Sequence, residues 1–465
     1  MKKGFLWIAV VVCLFTPISV RAEDAVLTDS DKTRLAGELL ADVMDLLMER
    51  YVGEALSPKY LYESALRGMM DSLDPYSAYL TLEELDELET SFSGKMYGIG
   101  VTLDISDNNV AVISGMLPGS PAEASGLMKG DILLEVNKKA IKGLSLDEIL
   151  AIIGESDTVT LKVQHETEVF EKIIQKQEIA VRTVASTEFE DILDSAKKRD
   201  NSALRYIVIS EFGSETDGEF GELVTELRGQ GVKRVIIDLR GNPGGYADSV
   251  IKICNRIVPK GPIMFTIDKL GNTMEIVSKL EEQPFEKIVV LTDQGTASAA
   301  EVLASALQDS KAAVIVGEKT YGKGVIQSLY PMPSGGALKF TTEEYLRRSG
   351  DKINKVGVTP DIPVTMPDLI TESVVLNESE ASDALPAVRD VLSYLGYKSE
   401  PGADAKVYDS ALSEAVKCFQ MDSGLTVNGE LDANTLIKLN FAIYTAYSQS
   451  DKPLEIAYEI LREGL

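Results

Sequence analysis

The sequence predicts a multidomain α/β protein in which a helical segment, a small β domain, an α/β core and a small helical module follow one another. Three observations predict it. The 465 residues suffice for about three domains at roughly 150 residues each. Hydrophobic residues make up 45% and charged residues 26%, the balance of a folded chain and not of a disordered, collagenous or rod-like one. The hydrophobic period also changes along the chain, from helical spacing to short alternating runs, then to apolar runs separated by helical stretches, then to helical spacing again.

The elements follow in order. Lys2 and Lys3 precede an apolar run from Phe5 to Phe15, which Pro17 breaks, and Val20-Arg21-Ala22 ends on a small residue. This is the layout of a signal peptide over residues 1–22. The run is short for a bilayer span, and the competing reading is an uncleaved anchor. Val12 before Cys13 argues against a lipoprotein. Cleavage after Ala22 would remove three basic residues and move the net charge from −27 to about −30. The protein is expected to be exported, to a periplasm or to the outer face of a membrane or cell wall.

Residues 23–90 read as helical: Leu39, Leu40, Val43, Leu46, Leu47 and Tyr51 recur at helical spacing. Asp74-Pro75 interrupts the pattern, and Thr81-Leu82-Glu83-Glu84 reads as a new helix start. Residues 91–178 form the β domain, with strand-like Val110 to Ser114 and Val159 to Val163 and a helical patch at Leu146 to Ile153. Residues 179–365 form the α/β core. Its strand-like runs, Tyr206 to Ile209, Val235 to Leu239, Ile288 to Leu291 and Ala313 to Val316, are uniformly apolar, as strands buried on both faces are. Residues 366–384 read as a polar linker, 385–440 as a helical module and 441–465 as a final amphipathic helix.

Composition excludes several functions. The net charge of −27, from 46 basic and 73 acidic residues, repels phosphate backbones, and no nucleic-acid partner is expected. One histidine, His165, and three cysteines cannot build a His/Cys zinc cluster, and they leave a Ser-His-Asp arrangement a single candidate base. No metal and no cofactor is expected. Cys254 and Cys418 lie in different segments and imply no disulfide framework.

The chemistry centres on Asp293-Gln-Gly-Thr-Ala-Ser298-Ala-Ala-Glu301, between an apolar strand and an Ala/Leu-rich helix. One reading makes Ser298 an N-cap, since Ser298 and Glu301 have capping-box spacing. The other makes it a nucleophile at a strand-to-helix turn, where unpaired backbone N–H groups and the helix dipole favour developing negative charge. The Ala299 N–H would then donate to an oxyanion. A serine hydroxyl needs a base, and a desolvated lysine can serve, because burial favours its neutral amine. Lys323 is the candidate, in Gly317-Glu-Lys-Thr-Tyr-Gly322-Lys323-Gly324, against the alternative of a lysine in a solvated turn. If the stretch is extended, Lys323 and Gln327 share a face, and Gln327 would hold the amine in register. Gly317-x4-Gly322-Lys323 also fits the frame of a phosphate-binding loop. That reading needs Ser or Thr at position 324, where Gly stands, and a helix afterwards.

The turn Asp238-Leu-Arg240-Gly241-Asn-Pro-Gly244-Gly245 reads as a tight turn, or as one whose glycines approach a ligand closely, Gly244 or Gly245 presenting a second oxyanion donor. In the β domain, Tyr97-Gly98-Ile99-Gly100-Val101 precedes a strand, and Gly119 to Asn137 is rich in Gly and Pro punctuation. A Gly-rich loop beside an open strand edge can hold a peptide's terminal carboxylate while the peptide adds as a strand.

These residues together resemble the carboxyl-terminal processing proteases, also called tail-specific proteases. Gly119 to Asn137 resembles the hallmark run of a PDZ domain, and Tyr97-Gly98-Ile99-Gly100 its carboxylate-binding loop. Asp238 to Gly245, Gly295 to Glu301 and Gly317 to Gly324 resemble the three catalytic motifs in family order. Leu73-Asp-Pro-Tyr-Ser77 and Gly357-Val-Thr-Pro-Asp361 match flanking signatures, and residues 385–440 resemble a peptidoglycan-binding module. The resemblance implies a metal-free Ser-Lys endoprotease: Ser298 as nucleophile, Lys323 as base, Gln327 as its orienting group, and Ala299 with Gly244 or Gly245 as oxyanion hole. It implies substrates with apolar C-terminal tails bound at Tyr97 to Val101, peptidoglycan as a second ligand, and homodimers through the terminal regions. Two departures stand out. Tyr345-Leu-Arg-Arg-Ser-Gly350 replaces a usual Tyr-x-x-Pro-Ser-Gly run. His165 occupies the place of a basic residue that relates tail binding to activity, so that coupling would depend on pH. The competing function is a non-catalytic scaffold joining partners to the cell wall.

Overall fold

The computed structural model describes residues 28–463 apart from 106–109, 166, 198, 366, 368 and 371–374, and leaves the side chains of 195, 444 and 447–449 undescribed. The expected signal peptide, residues 1–22, lies outside the described residues. The chain divides into two compact units, Met1–Pro75 and Tyr76–Leu465.

The first unit holds α1 (Asp29–Arg50), opened by a Thr28/Asp31 capping box, and α2 (Pro58–Asp71), capped by Ser57 with Pro58 in its first turn. No residue of α1 is buried, and Leu39, Val43 and Leu46 leave about half of their surface open.

The second unit begins with β1 (Ala78–Leu80) and α3 (Leu82–Ser91). Thr81 caps α3 in a capping box with Glu84, as the sequence predicts. The strand is a departure from the all-helical reading of 23–90. Three residues carry too little period to register, and β1 forms only because it pairs with residues 337–339 far along the chain.

Next come β2 (Lys95–Gly98), β3 (Val101–Ile105), β4 (Ala111–Met116), the short helix α4 (Pro121–Ala124), β5 (Ile132–Val136), β6 (Lys139–Ala140), α5 (Leu146–Gly154), β7 (Thr158–His165), β8 (Glu168–Gln175) and β9 (Gln177–Ala180). The antiparallel sheet runs β3-β4-β5-β7-β8, with β6 added to β5 and β2 paired with β9. Its core joins Ile113, Leu133, Val159, Leu161 and Val163 to Ile149 and Ile153 of α5. β3 is an edge strand and α5 lies beside it.

The core contains β10 (Val184–Thr187), α6 (Phe189–Ile192), β11 (Leu204–Ile209), α7 (Thr216–Gly229), β12 (Arg234–Asp238), α8 (Ala247–Ile257), β13 (Gly261–Asp268), β14 (Thr273–Ser278), β15 (Lys287–Thr292), α9 (Ala299–Asp309), β16 (Ala313–Gly317), β17 (Val325–Pro331), β18 (Ala337–Arg347) and β19 (Ile362–Pro363). One sheet runs β10-β11-β12-β15-β16-β19 and is parallel except for β10. Its strands alternate sides. Val235, Ile237, Ile288 and Val290 pack on α7, α8 and α9, while Ile236, Val289 and Leu291 face the other way. A second sheet runs β1-β18-β13-β14, with β17 on the free side of β18.

The C-terminal module contains α10 (Leu385–Tyr394), α11 (Ser410–Asp422) and α12 (Ala433–Gln449), around Leu385, Val388, Leu412, Val416, Phe419 and Leu439. Residues 366–384 do more than link. Ile370 is buried in this module, and Leu376 bridges to Leu431. Isolated apolar residues in a polar stretch have no period, which is why the sequence reads them as linker. α12 runs past residue 440, and the last helix, α13 (Lys452–Glu463), packs into the α/β core. Leu454, Ala457, Tyr458, Ile460 and Leu461 cover the sheet face formed by Ile236, Val289, Leu291 and Val316. Among the described residues no helix is long and apolar enough to cross a membrane.

Candidate active site

Parallel strands β12 and β15 end side by side, and the turns that leave them are stitched together. The Thr296 hydroxyl donates to the Leu239 carbonyl at 2.9 Å. The Gly241 N–H donates to Asp293 Oδ1 at 2.9 Å, and the Ala297 N–H to the Asn242 carbonyl at 2.9 Å. Asn242 is fully buried; its Nδ2 donates to the Ile209 carbonyl at 2.7 Å and its Oδ1 accepts the Gly244 N–H at 2.9 Å. Ligand sites of open α/β sheets form at such carboxyl ends.

Ser298 sits at the head of α9 with φ +54° and ψ −118°. This conformation is strained for a non-glycine residue, and such strain persists only where the surroundings enforce it. The enforcing group is Glu301, fully buried. Its Oε2 accepts the N–H of Ser298 at 2.9 Å and of Lys323 at 2.8 Å. Its Oε1 accepts the N–H of Gly322 at 2.8 Å and the Thr320 hydroxyl at 2.5 Å. The capping-box spacing is therefore present, but the Glu301 N–H returns to the Ser298 carbonyl at 2.9 Å, so the hydroxyl is not needed to cap the helix.

Tyr345 supplies a second clamp. Its hydroxyl lies 3.0 Å from the Ser298 carbonyl oxygen and 2.5 Å from that of Lys323. Burial, and then the Glu301 carboxylate, push this phenol well above its usual range, which keeps it a donor. Sequence spacing alone assigns neither role, although the capping spacing of Glu301 is a signal for the first. In the sequence Tyr345 marks only the start of a run that departs from the family pattern.

Lys323 is half-buried in the connection before β17, with its Nζ 4.8 Å from the centre of the Tyr76 ring. A strand follows, not a helix, so the phosphate-loop reading lacks its anion-binding helix end. Gln327 lies on β17, where a register shift between Ile326 and Gln327 breaks simple alternation. Its amide reaches Thr341 Oγ1 at 3.4 Å.

Ser298, Ala299, Gly245, Lys323, Gln327 and Tyr345 border one cavity of about 260 Å³, whose walls include Val250, Met264, Val302 and Ile326. Gly244 packs beneath. A Cβ there would lie 2.7 Å from Ser298 Cβ and 2.9 Å from the Ala297 carbonyl oxygen, so this position demands glycine. The Gly244 N–H is already taken by Asn242. Among the described residues no acceptor takes the N–H of Gly245 or of Ala299.

The other predicted residues gather elsewhere. Tyr97 and Gly98 end β2, Ile99 and Gly100 turn, and Val101 begins the edge strand β3. Gly100 has φ +78°, and a Cβ there would lie 2.3 Å from Ser120 Cβ. The Ile99 and Gly100 carbonyls accept from Ala122 and Leu117 at 2.8 and 2.9 Å. His165 Nδ1 lies 2.7 Å from the buried Asp131 carboxylate, and the residue does not line the cavity.

Comparison with known proteins gives the family of each segment. Residues 203–364 match the model of "Peptidase family S41", residues 89–164 that of "PDZ domain" and residues 382–439 that of "Putative peptidoglycan binding domain". A "Probable CtpA-like serine protease" of Staphylococcus aureus (strain COL) is 31% identical over 470 residues, covering 99% of this chain and 91% of that protein. A relative of the same description from Staphylococcus epidermidis is 29% identical, covering 97% of this chain and 92% of that protein. Among solved structures, a photosystem II D1 C-terminal processing protease is 28% identical with a TM-score of 0.44, covering 71% of this chain and 87% of that one.

Proposed function

The chain belongs to peptidase family S41 and is a serine peptidase; we propose that it cleaves protein substrates with a Ser298–Lys323 dyad after capturing their C-terminal tails. One observation carries the dyad: Ser298, strained at the head of α9, and Lys323 border one cleft, and Glu301 holds both main chains.

In this reading Ser298 Oγ attacks the scissile carbonyl while the neutral Lys323 amine takes its proton. The N–H groups of Ala299 and Gly245 receive the oxyanion. Gly244 contributes closeness, since its own N–H is committed to Asn242. Lys323 then protonates the leaving amine, and water resolves the acyl-enzyme with the lysine again as base. Gln327 assists Lys323 only by turning from Thr341. The wall of Val250, Met264, Val302 and Ile326 suits an apolar side chain at the scissile residue.

The tail binds at Tyr97 to Val101 and extends along β3, with exposed Leu146 and Leu150 of α5 facing an apolar end. The C-terminal module takes peptidoglycan, the protein is exported, and the open apolar stripe of α1 serves homodimer contacts. The test incubates the full chain and Ser298→Ala with one unfolded protein carrying either an apolar or an acidic C-terminal tail. Wild type should cleave the apolar-tailed form faster and Ser298→Ala neither. Equal rates on the two tails would remove tail recognition, and cleavage by Ser298→Ala would remove the dyad.

A further inference from the structure

The turn that faces Ser298 is fastened from an unexpected direction. Arg240, one residue before Gly241, lies between two carboxylates. Its Nε is 3.0 Å from both oxygens of Asp238, and its Nη2 is 2.6 Å from Asp238 Oδ2. Its Nη1 and Nη2 also donate to Asp451 Oδ1 and Oδ2 at 2.9 and 2.8 Å. Burial opposes the guanidinium charge, but the two carboxylates outweigh it and hold the arginine above its usual range. Asp238 is local and is also held by the Tyr206 hydroxyl at 2.5 Å. Asp451 comes from 211 residues further on.

Asp451 stands at a junction. Its Oδ1 accepts the Leu454 N–H at 3.0 Å and its carbonyl accepts the Glu455 N–H at 2.8 Å, so it starts α13. Lys452, next to it, places Nζ 3.9 Å from the centre of the Tyr394 ring in α10. The C-terminal module, the last helix and the turn after β12 thus meet at two residues. A bidentate arginine–carboxylate pair fixes direction as well as distance. From Arg240 the constraint passes to Gly241, bonded to Asp293, and to Asn242, bonded to Ala297.

We propose that Asp451 is a positioning residue for catalysis: through Arg240 it sets the turn Gly241–Gly245 against Ser298, so that turnover requires the junction of the C-terminal module and the last helix to be docked. This rests on the serine-peptidase reading and on Gly245 as an oxyanion donor. Loss of Asp451 leaves α13 anchored by its buried apolar face and by Tyr458, whose hydroxyl donates to Asn201 Oδ1 at 2.6 Å. Arg240, however, loses one of its two carboxylate partners, the one that ties the turn to the C-terminal segment.

The experiment compares full-length wild type, Asp451→Asn and Asp451→Glu on a peptide with an apolar scissile residue. It also follows the rate at which a fluorophosphonate reacts with Ser298, which reads the oxyanion geometry directly. Displacing a reacting group by about 1 Å costs roughly 10²-fold. Asp451→Asn is expected to lose about 10- to 100-fold in kcat and in labelling rate, with KM within about 2-fold, and Asp451→Glu to recover most of it. In an Arg240→Ala background, Asp451→Asn should cost nothing further. Wild-type kcat in Asp451→Asn overturns the proposal. So does a loss that follows the fraction of unfolded protein, or one confined to KM. Undiminished turnover by Ser298→Ala would instead overturn the peptidase assignment of that serine and leave the Asp451 result to be read separately.

Discussion

The proposed catalytic cleft and the proposed tail groove of the PDZ domain belong to the same compact unit and are built on opposite terms. Around Ser298 the main chain is held by buried side chains: Glu301 accepts three backbone N–H groups, the Tyr345 hydroxyl lies between the Ser298 and Lys323 carbonyls, and Asn242 fixes the glycine turn. Along β3 one side of the strand has no partner strand among the described residues, and the neighbouring helix offers exposed Leu146 and Leu150. Bond making needs atoms held to within fractions of an ångström. Tail capture needs backbone groups that a passing strand can still use. Crowding the cleft with hydrogen bonds therefore serves it, whereas the same treatment would close the groove.

The largest effects should separate the two sites cleanly. Ser298→Ala and Lys323→Met are each expected to lower kcat by about 10³-fold or more, while a fluorescent apolar-tailed peptide binds within about 2-fold of wild type by anisotropy. Weakened peptide binding in both variants would break the separation. Next is Glu301→Gln. Its amide cannot accept every donor that the carboxylate does, so kcat should fall by about 10²-fold and stability by about 2–4 kcal/mol in urea unfolding, because buried donors lose their partner. Retained activity would show that the clamp is dispensable. Gly100→Ala, with its Cβ driven into Ser120, should slow cleavage of an apolar-tailed protein by about 10-fold and leave a short tail-less peptide unaffected. The smallest effect belongs to Leu150→Ala. Losing part of an exposed apolar wall costs about 1 kcal/mol, read as roughly 5-fold weaker binding of the apolar tail and no change for an acidic one.

Much of this architecture was legible in the sequence because the relevant signals are local. The strands β11, β12, β15 and β16 read as apolar runs because helices cover both faces of the parallel sheet. Thr81 opens its helix at a visible capping box. Ser298 and Lys323 stood out because each interrupts small residues at a strand end. The contacts that join these parts were not legible. Tyr345 meets carbonyls 47 and 22 residues away, and β1 depends on β18 for its only strand pairing among the described residues. No period in a sequence encodes a partner chosen by the closure of a long loop. The pattern of α13 likewise announced an amphipathic helix without saying which surface it would cover.

That surface has a consequence for how the protein comes to life. Residues 454–461 complete the hydrophobic layer against strands that begin at residue 204, so one face of the sheet stays bare until a segment far downstream of those strands has been made. Contacts of such long sequence separation form slowly, and apolar surface left bare meanwhile is prone to aggregation. Covering that face therefore waits on a helix that lies far downstream of the strands it covers.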